Sequence, residues 1–131
     1  MAEKLFGTDG VRGKAGAYPL DPPTVARLGA AIIKALPSAP FHRVLIGRDT
    51  RESGPAIEAD LIRGARSAGA MVTTAGVLPT PAIAYLAKVM DFECGVVISA
   101  SHNPFDDNGI KVFSSEGDKL DERLESEIEA I

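Results

Sequence analysis

The chain of 131 residues has the size and composition of one globular domain, with 45% hydrophobic and 24% charged residues. Its formal net charge of −4 excludes the basic field that general nucleic-acid binding requires. No apolar run approaches the ~20 residues of a membrane span, and residues 1–7 lack the pattern of a signal peptide. The single cysteine, Cys94, cannot form an internal disulfide. We therefore expect a cytoplasmic domain with neither a nucleic-acid nor a membrane partner.

The chain alternates short apolar runs with helical periods, which predicts an α/β fold. Strand-like runs begin at residue 5 and cover 43–47, 71–77, 94–98 and 110–113. Helices are expected to begin at Asp21, Ser53 and Thr80, since these are capping residue types and prolines follow closely. Residues 121–131 form a last helical period without a stop signal. The prediction is a mixed β-sheet of about four strands sandwiched between helices, with a return hairpin.

Several single positions have simple structural interpretations. Residues 107–109, Asp-Asn-Gly, are typical of a hairpin turn. His42 precedes a strand and is expected to be exposed, whereas Cys94 lies in an apolar strand and is expected to be buried. The solvated face of the last helix is expected to carry Glu122, Glu125, Glu127 and Glu129.

The strand at 94–98 runs directly into a polar loop, Ser-Ala-Ser-His-Asn-Pro at 99–104. Open α/β folds bind their ligands at such strand ends. Ser101 is a nucleophile type and His102 a proton-transfer group, and Pro104 stiffens the backbone beside them. The same residues are also typical of a turn whose side chains cap their own backbone, so a Ser-His pair alone does not decide between the two.

Three cationic segments increase the likelihood of a phosphate site. Arg12 lies in a turn with three glycines, where backbone N–H groups and a guanidinium can approach an anion. Arg48 and Arg51 follow a strand and suit a phosphate, while Asp49 between them could orient either arginine in an ion pair. Lys111 follows the expected turn and is placed near the Ser101 loop. Each segment alone is also typical of a tight turn or of solvated charge.

Taken together and in this order, residues 6–13, 47–51 and 99–104, with Asn-Gly-Ile-Lys at 108–111, form a specific pattern. The whole chain resembles the first domain of the α-D-phosphohexomutases, and the first and third motifs are most similar to the bacterial phosphoglucosamine mutase branch. The resemblance implies that residues 1–131 are the catalytic-serine domain of a four-domain enzyme, and the helix left open at Ile131 agrees with a chain cut from a longer one.

The resemblance implies that Ser101 is phosphorylated and passes its phosphoryl group to a sugar hydroxyl. A sugar bisphosphate forms and reorients, which interconverts glucosamine 6-phosphate and glucosamine 1-phosphate. The implied catalytic residues are Ser101, His102, Lys111 and Arg12. The implied phosphate-binding residues are Arg12, Arg48 and Asn103.

The resemblance also implies a set of cofactors and partners. Mg²⁺ would bind an oxygen of the phosphate on Ser101, with its other ligands on an Asp-Gly-Asp motif that does not occur in this chain. Glucose or glucosamine 1,6-bisphosphate would act as activator. The partners would be a phosphosugar and the remaining three domains of the same enzyme, and the isolated chain is expected to be inactive.

Three alternatives stay open at this point. The enzyme could have phosphomannomutase or phosphoglucomutase specificity. The chain could be a non-catalytic phosphate-binding module. It could also be a serine hydrolase that uses Ser101, His102 and Asp106 or Asp107, although it lacks the Gly-x-Ser-x-Gly elbow around the serine.

Overall fold

The computed structural model describes Phe6 and residues 10–36, 42–100, 106–118, 125, 128 and 129. Within these residues there are five strands: β1 (Val11–Lys14), β2 (His42–Arg48), β3 (Ala70–Val77), β4 (Cys94–Ile98) and β5 (Asp107–Ser114). Three helices lie between them: α1 (Pro22–Ala35), α2 (Gly54–Ser67) and α3 (Thr80–Val89). Residues 125, 128 and 129 are also helical.

The strands form one mixed sheet in the order β1-β5-β4-β2-β3. β2 pairs in parallel with both β3 and β4, as expected for strands joined by crossover helices. β5 returns antiparallel to β4 and also pairs antiparallel with β1. The predicted mixed α/β sheet is confirmed. It has five strands, one more than the expected number of about four, because the glycine-rich segment near the N-terminus pairs with β5 as an edge strand.

Helices cover both faces of the sheet. α1 and α2 pack against one face, where the larger core includes Val25, Leu61, Val44, Ile98 and Ile110. α3 packs against the other face, where Ile83 and Ala87 meet Leu45, Val97 and Phe92. The central strand β4 is buried at every position, as its uninterrupted apolar sequence predicts. In the part of the chain described, no helix is both long and apolar enough to cross a bilayer.

The helix starts agree with the sequence to different degrees. Asp21 caps α1 as predicted, and its Oδ2 accepts hydrogen bonds from Thr24 N at 3.3 Å and Thr24 Oγ1 at 2.9 Å. Ser53 occupies the N-cap position of α2 but makes no capping hydrogen bond. The prediction for α3 was wrong by one residue: Pro79 occupies the N-cap and Thr80 is already helical.

Three further predictions were wrong, and the one for Cys94 was right. Residues 107–109 belong to β5 and form no turn, because they pair with β1. His42 is mostly buried, since its Nδ1 lies 2.8 Å from Glu93 Oε2. Glu125 is 7% exposed, because it lies three residues from buried Ile128 on the same side of the helix. Cys94 is buried as predicted, and burial raises the pKa of its thiol to about 12.

The packing of α1 on α2 yields a prediction about Gly64. A β-carbon at this position would overlap the carbonyl oxygen of Ala26 in α1, so the two helix backbones are in direct contact here. Helix propensity alone favours alanine over glycine by about 1 kcal/mol. We expect the steric effect to prevail, and Gly64→Ala to lower the free energy of unfolding by about 2 kcal/mol, measured by urea denaturation.

The matched control is Ala59→Ser, at an exposed position of the same helix, which should change the free energy by no more than about 0.5 kcal/mol. A Gly64→Ala variant as stable as wild type, or more stable, would show that the helices do not approach this closely.

Candidate functional site

The candidate site lies where the carboxyl ends of β2 and β4 meet the amino end of β5. The N–H of Asp49 donates to the carbonyl of Ile98 at 3.1 Å, and the N–H of Ser99 donates to the carbonyl of Gly109 at 2.9 Å. We call residues 48–53, 99–100 and 106–109 the loop edge. The described chain stops at this edge with Ala100 and resumes there with Asp106.

Three predicted site residues, Ser101, His102 and Asn103, lie outside the described residues. Their roles therefore stay predictions. The residues on either side are described: Ala100 is fully buried and Asp106 is exposed. We call residues 101–105 the serine loop; the residue before it is buried and the residue after it is exposed.

Arg12 and Lys111 lie on the same face of two neighbouring strands. Val11 and Ile110 are register partners, and both are buried in the core beneath α1 and α2. Because side chains alternate along a strand, Arg12 and Lys111 project from the opposite face. Arg12 is paired with Gly109, so Lys111 occupies the diagonal position, where long side chains can reach each other. The structure therefore brings these two predicted cations together beside the loop edge.

Gly109 makes room for the stem of Arg12. A β-carbon at Gly109 would lie 2.7 Å from the carbonyl oxygen of Ser99 and 3.1 Å from Cγ of Arg12. The sequence pattern had suggested that this glycine serves a turn. Instead, its missing side chain lets the arginine lie across β5 while β4 stays closely paired.

Arg48 and Arg51, which the sequence treats alike, have different surroundings. Nε of Arg48 lies 3.7 Å from Oε1 of Glu58, which is an ion pair too long for a hydrogen bond. The Arg48 side chain is 24% exposed. Part of the side chain is therefore open to solvent, and its role in phosphate binding stays a prediction.

Arg51 is held by its own neighbours. Asp49 accepts from the Arg51 backbone N–H at 3.1 Å through Oδ1, and its Oδ2 accepts from Nε at 3.3 Å. Asp49 thus orients Arg51, which decides between the two ion pairs left open by the sequence. The guanidinium also donates to two backbone carbonyls, those of Ala100 and Asp107. Arg51 is therefore a bridge within the loop edge and is not presented to a ligand.

Asn108 and Ser53 form a second bridge at the loop edge. Asn108 is fully buried, and its Nδ2 donates to Oγ of Ser53 at 2.8 Å. Its Oδ1 accepts from the N–H of Gly109 at 2.9 Å. The sequence predicts a turn at Asn108 and a cap at Ser53, so it does not reveal this pair. No local signal links the two residues.

Two helix N-termini add positive potential near the loop edge, whose own side chains include two arginines and four acidic residues. α2 and α3 both begin near it, since the N–H of Leu78 donates to the carbonyl of Arg48 at 3.2 Å, and helix N-termini carry partial positive charge. The Glu58 carboxylate opposes this positive potential when it is ionised. Burial raises the pKa of Glu58, and the charge of Arg48 reverses that rise only in part.

Within the described ranges, no group of three or more His, Cys, Asp or Glu side chains could hold a metal ion. These residues therefore do not form a magnesium site by themselves. Any ligand from the serine loop, including a phosphate on Ser101, falls outside the described residues.

Residues 3–131 match the family described as phosphoglucomutase/phosphomannomutase, alpha/beta/alpha domain I. The chain is 52% identical over 131 residues to phosphoglucosamine mutase 2 of Shewanella frigidimarina, covering 100% of this chain and 29% of the relative. It is also 52% identical to the phosphoglucosamine mutase of Burkholderia mallei, covering 99% of this chain and 30% of that protein. The chain thus spans less than a third of the length of these curated relatives.

Solved structures agree with the fold. A Thermus thermophilus protein described as a phosphomannomutase superposes with a TM-score of 0.86 at 29% identity, over 99% of this chain and 30% of that chain. A phosphoglucomutase/phosphomannomutase family protein of Burkholderia thailandensis gives 0.80 at 26% identity, over 98% and 30% of the two chains.

The Glu58 carboxyl yields a pH prediction. Because its pKa is raised in the folded state, the folded chain binds this proton more tightly than the unfolded chain. The resulting stability is complete below the ordinary pKa of 4.5 and is lost as pH rises through the raised folded value. We expect the Glu58→Gln variant to gain stability relative to wild type from about pH 4 to about pH 7, measured by urea denaturation.

Glu52→Gln is the matched control, because it removes one negative charge from an exposed position before the same helix. Its effect gives the general charge contribution to subtract. If wild type instead gains stability relative to Glu58→Gln as pH rises, the Arg48 ion pair outweighs the cost of burial and the account of Glu58 is wrong.

Proposed function

The chain belongs to the phosphoglucomutase/phosphomannomutase family, and we propose that it is the phosphoserine domain of a phosphoglucosamine mutase. Both curated relatives named above carry that description at 52% identity, whereas the solved phosphomannomutase is 29% identical. The proposed reaction interconverts glucosamine 6-phosphate and glucosamine 1-phosphate. Phosphomannomutase or phosphoglucomutase specificity is the alternative within the family.

The proposed carrier of the phosphoryl group is Ser101. A sugar hydroxyl oxygen attacks phosphorus, its new P–O bond forms as the bond from phosphorus to Oγ of Ser101 breaks, and the hydroxyl proton ends on Oγ. The sugar bisphosphate then reorients, and Oγ receives the other phosphoryl group in the reverse step. The serine is regenerated as phosphoserine, so the phosphate has changed position on the sugar without net consumption of a donor.

The observation that carries the proposal is the placement of Arg12 and Lys111 on one face, near the described residues that flank the serine loop. A phosphoserine adds about −1.5 to −2 charges, and phosphoryl transfer depends mainly on positioning and on charge stabilisation. Two cations on diagonal strand positions supply that stabilisation from a rigid sheet. Arg48, at the end of β2, is proposed to contact phosphate from the neighbouring position, together with Asn103.

Proton transfer is assigned to His102 and Lys111. A positioned acid or base contributes about 10²- to 10⁴-fold in rate. Lys111 lies on β5, opposite Val97 of β4, so it approaches the loop from the sheet, whereas His102 is a member of the loop. The assignment takes one proton carrier from the sheet and one from the serine loop.

The remaining proposals concern groups beyond the described residues. Magnesium, when bound, would neutralise charge on the transferring phosphoryl group, with the phosphate on Ser101 as this chain's ligand. A glucose or glucosamine 1,6-bisphosphate would maintain the phosphorylated state. The partners are a phosphosugar and the other three domains of a four-domain enzyme, in which residues 1–131 form domain I. The proposed location is the cytoplasm.

The test is phosphopeptide mapping of the intact enzyme, purified without phosphatase and again after treatment with glucosamine 1,6-bisphosphate. We expect phosphate on Ser101 and none in Ser101→Ala, whose mutase turnover should be lost. Arg12→Met and Lys111→Met should retain the fold and lower kcat by about 10²-fold or more, since each removes a charge from the transferring group.

The matched control is Lys88→Met, which removes an exposed lysine on α3 and should leave kcat unchanged. Binding of phosphosugar without phosphate ever appearing on Ser101 would support the non-catalytic binding module. Conversion of mannose or glucose phosphates in preference to glucosamine phosphates would support the alternative specificities.

A further inference from the structure

Both described ends of the serine loop are tied to one short segment, residues 49–53, between β2 and α2. Ala100 precedes the loop and Asp107 opens β5 after it. Backbone carbonyls withdrawn from water at a strand end need hydrogen-bond partners. The guanidinium of Arg51 donates to both, with Nη1 at 3.1 Å from the oxygen of Asp107 and Nη2 bonded to the oxygen of Ala100.

The geometry of arginine explains why one side chain can serve both ends. The guanidinium is planar and rigid, so its two Nη groups hold their acceptors at a fixed separation, which the single ammonium of a lysine cannot do. The Arg51 side chain is 12% exposed, and hydrogen bonds from a charged donor are roughly twice as strong as neutral ones. One rigid group therefore links the backbone before the serine loop to the backbone after it.

The surrounding contacts fix Arg51 itself. The Asp49 carboxylate accepts hydrogen bonds from the backbone N–H of Arg51 and from Nε of its guanidinium. Nε is the one guanidinium nitrogen that does not bond to the carbonyl of Ala100 or of Asp107. The pair formed by Asn108 Nδ2 and Ser53 Oγ ties the start of β5 to the same segment. Asp49 is in turn anchored to β4, because its N–H donates to the carbonyl of Ile98 at 3.1 Å.

We propose that Arg51 is a positioning residue, which sets the separation of residues 100 and 107 on either side of the serine loop and so positions Ser101 for the proposed transfer. The inference rests on the proposed function, since it assigns a purpose to the geometry of that loop. Arg51 binds no substrate in this account. It acts on the reaction through the backbone of residues 100 and 107.

The expected signature is a loss of kcat with little change of KM. A displacement of about 1 Å of a reacting group can lower the rate about 10²-fold. KM should change little, because Arg51 does not contact the sugar in this proposal. In the intact enzyme, Arg51→Lys keeps the charge but loses the fork, and we expect kcat to fall about 10²-fold with KM changed less than about threefold. Arg51→Ala should be at least as impaired and should regain activity when guanidinium ion, but not ammonium ion, is added.

Loop anchoring is measured independently of activity by amide hydrogen exchange in the intact enzyme. In Arg51→Lys, exchange at residues 101–106 should accelerate at least about tenfold, while exchange in β2 and β4 stays at the wild-type rate. Asp49→Asn retains Arg51 and weakens only the ion pair that orients it, so the same change should be smaller. This second variant tests the proposal if Arg51→Lys folds poorly. Arg63→Lys is the matched control, because the Arg63 side chain is 60% exposed and pairs with Asp60 on its own helix.

The outcomes separate this inference from the proposed function. Wild-type turnover with phosphate on Ser101, combined with wild-type kcat in Arg51→Lys and Asp49→Asn, overturns the positioning role and leaves the function intact. Equal acceleration of exchange in the whole sheet would assign Arg51 to general stability and also overturn it. If the wild-type enzyme shows neither phosphate on Ser101 nor turnover, the proposed function is overturned. The positioning role of Arg51 in catalysis is then overturned with it.

Discussion

The insertion of β5 between β4 and β1 is the constraint on which the site depends. After β4 the chain turns back antiparallel, whereas the preceding strands are joined by crossover helices and run parallel. This return brings Ala100 and Asp106 to the same edge of the sheet, and it places the face carrying Lys111 beside the face carrying Arg12. A parallel β5 would have required a long crossover and would have taken the chain away from that edge.

The loop edge divides its charged residues between two tasks. Arg12, Lys111 and Arg48 are the residues proposed to stabilise phosphate, whereas Arg51 is used within the protein, between Asp49 and two backbone carbonyls. The hydrogen-bond partners of each arginine explain this difference in role. A guanidinium that donates to a carboxylate and two carbonyls has few donors left for a ligand.

The sequence predicts the elements well and the contacts between elements poorly. Apolar periodicity and the Asp21 cap are local signals, so the strands, α1 and the burial of Cys94 could be predicted. Residues 108 and 109 could not, because Asn-Gly is a turn signal locally and only pairing with β1 makes it part of a strand. Arg48 and Arg51 belong to the same motif, at residues 47–51. Nothing in that motif distinguishes a partly exposed arginine from one that bonds to the backbone on either side of a loop.

The most direct test of the account is the charge felt by the phosphate. The pKa of the phosphoserine at position 101 can be followed by phosphorus NMR in the intact enzyme, without metal, in wild type and in Arg12→Met and Lys111→Met. If both cations face the phosphate, its second pKa lies below the ordinary value in wild type and rises in each variant, because a nearby positive charge favours the dianion. An ordinary pKa that neither substitution changes would contradict the shared site.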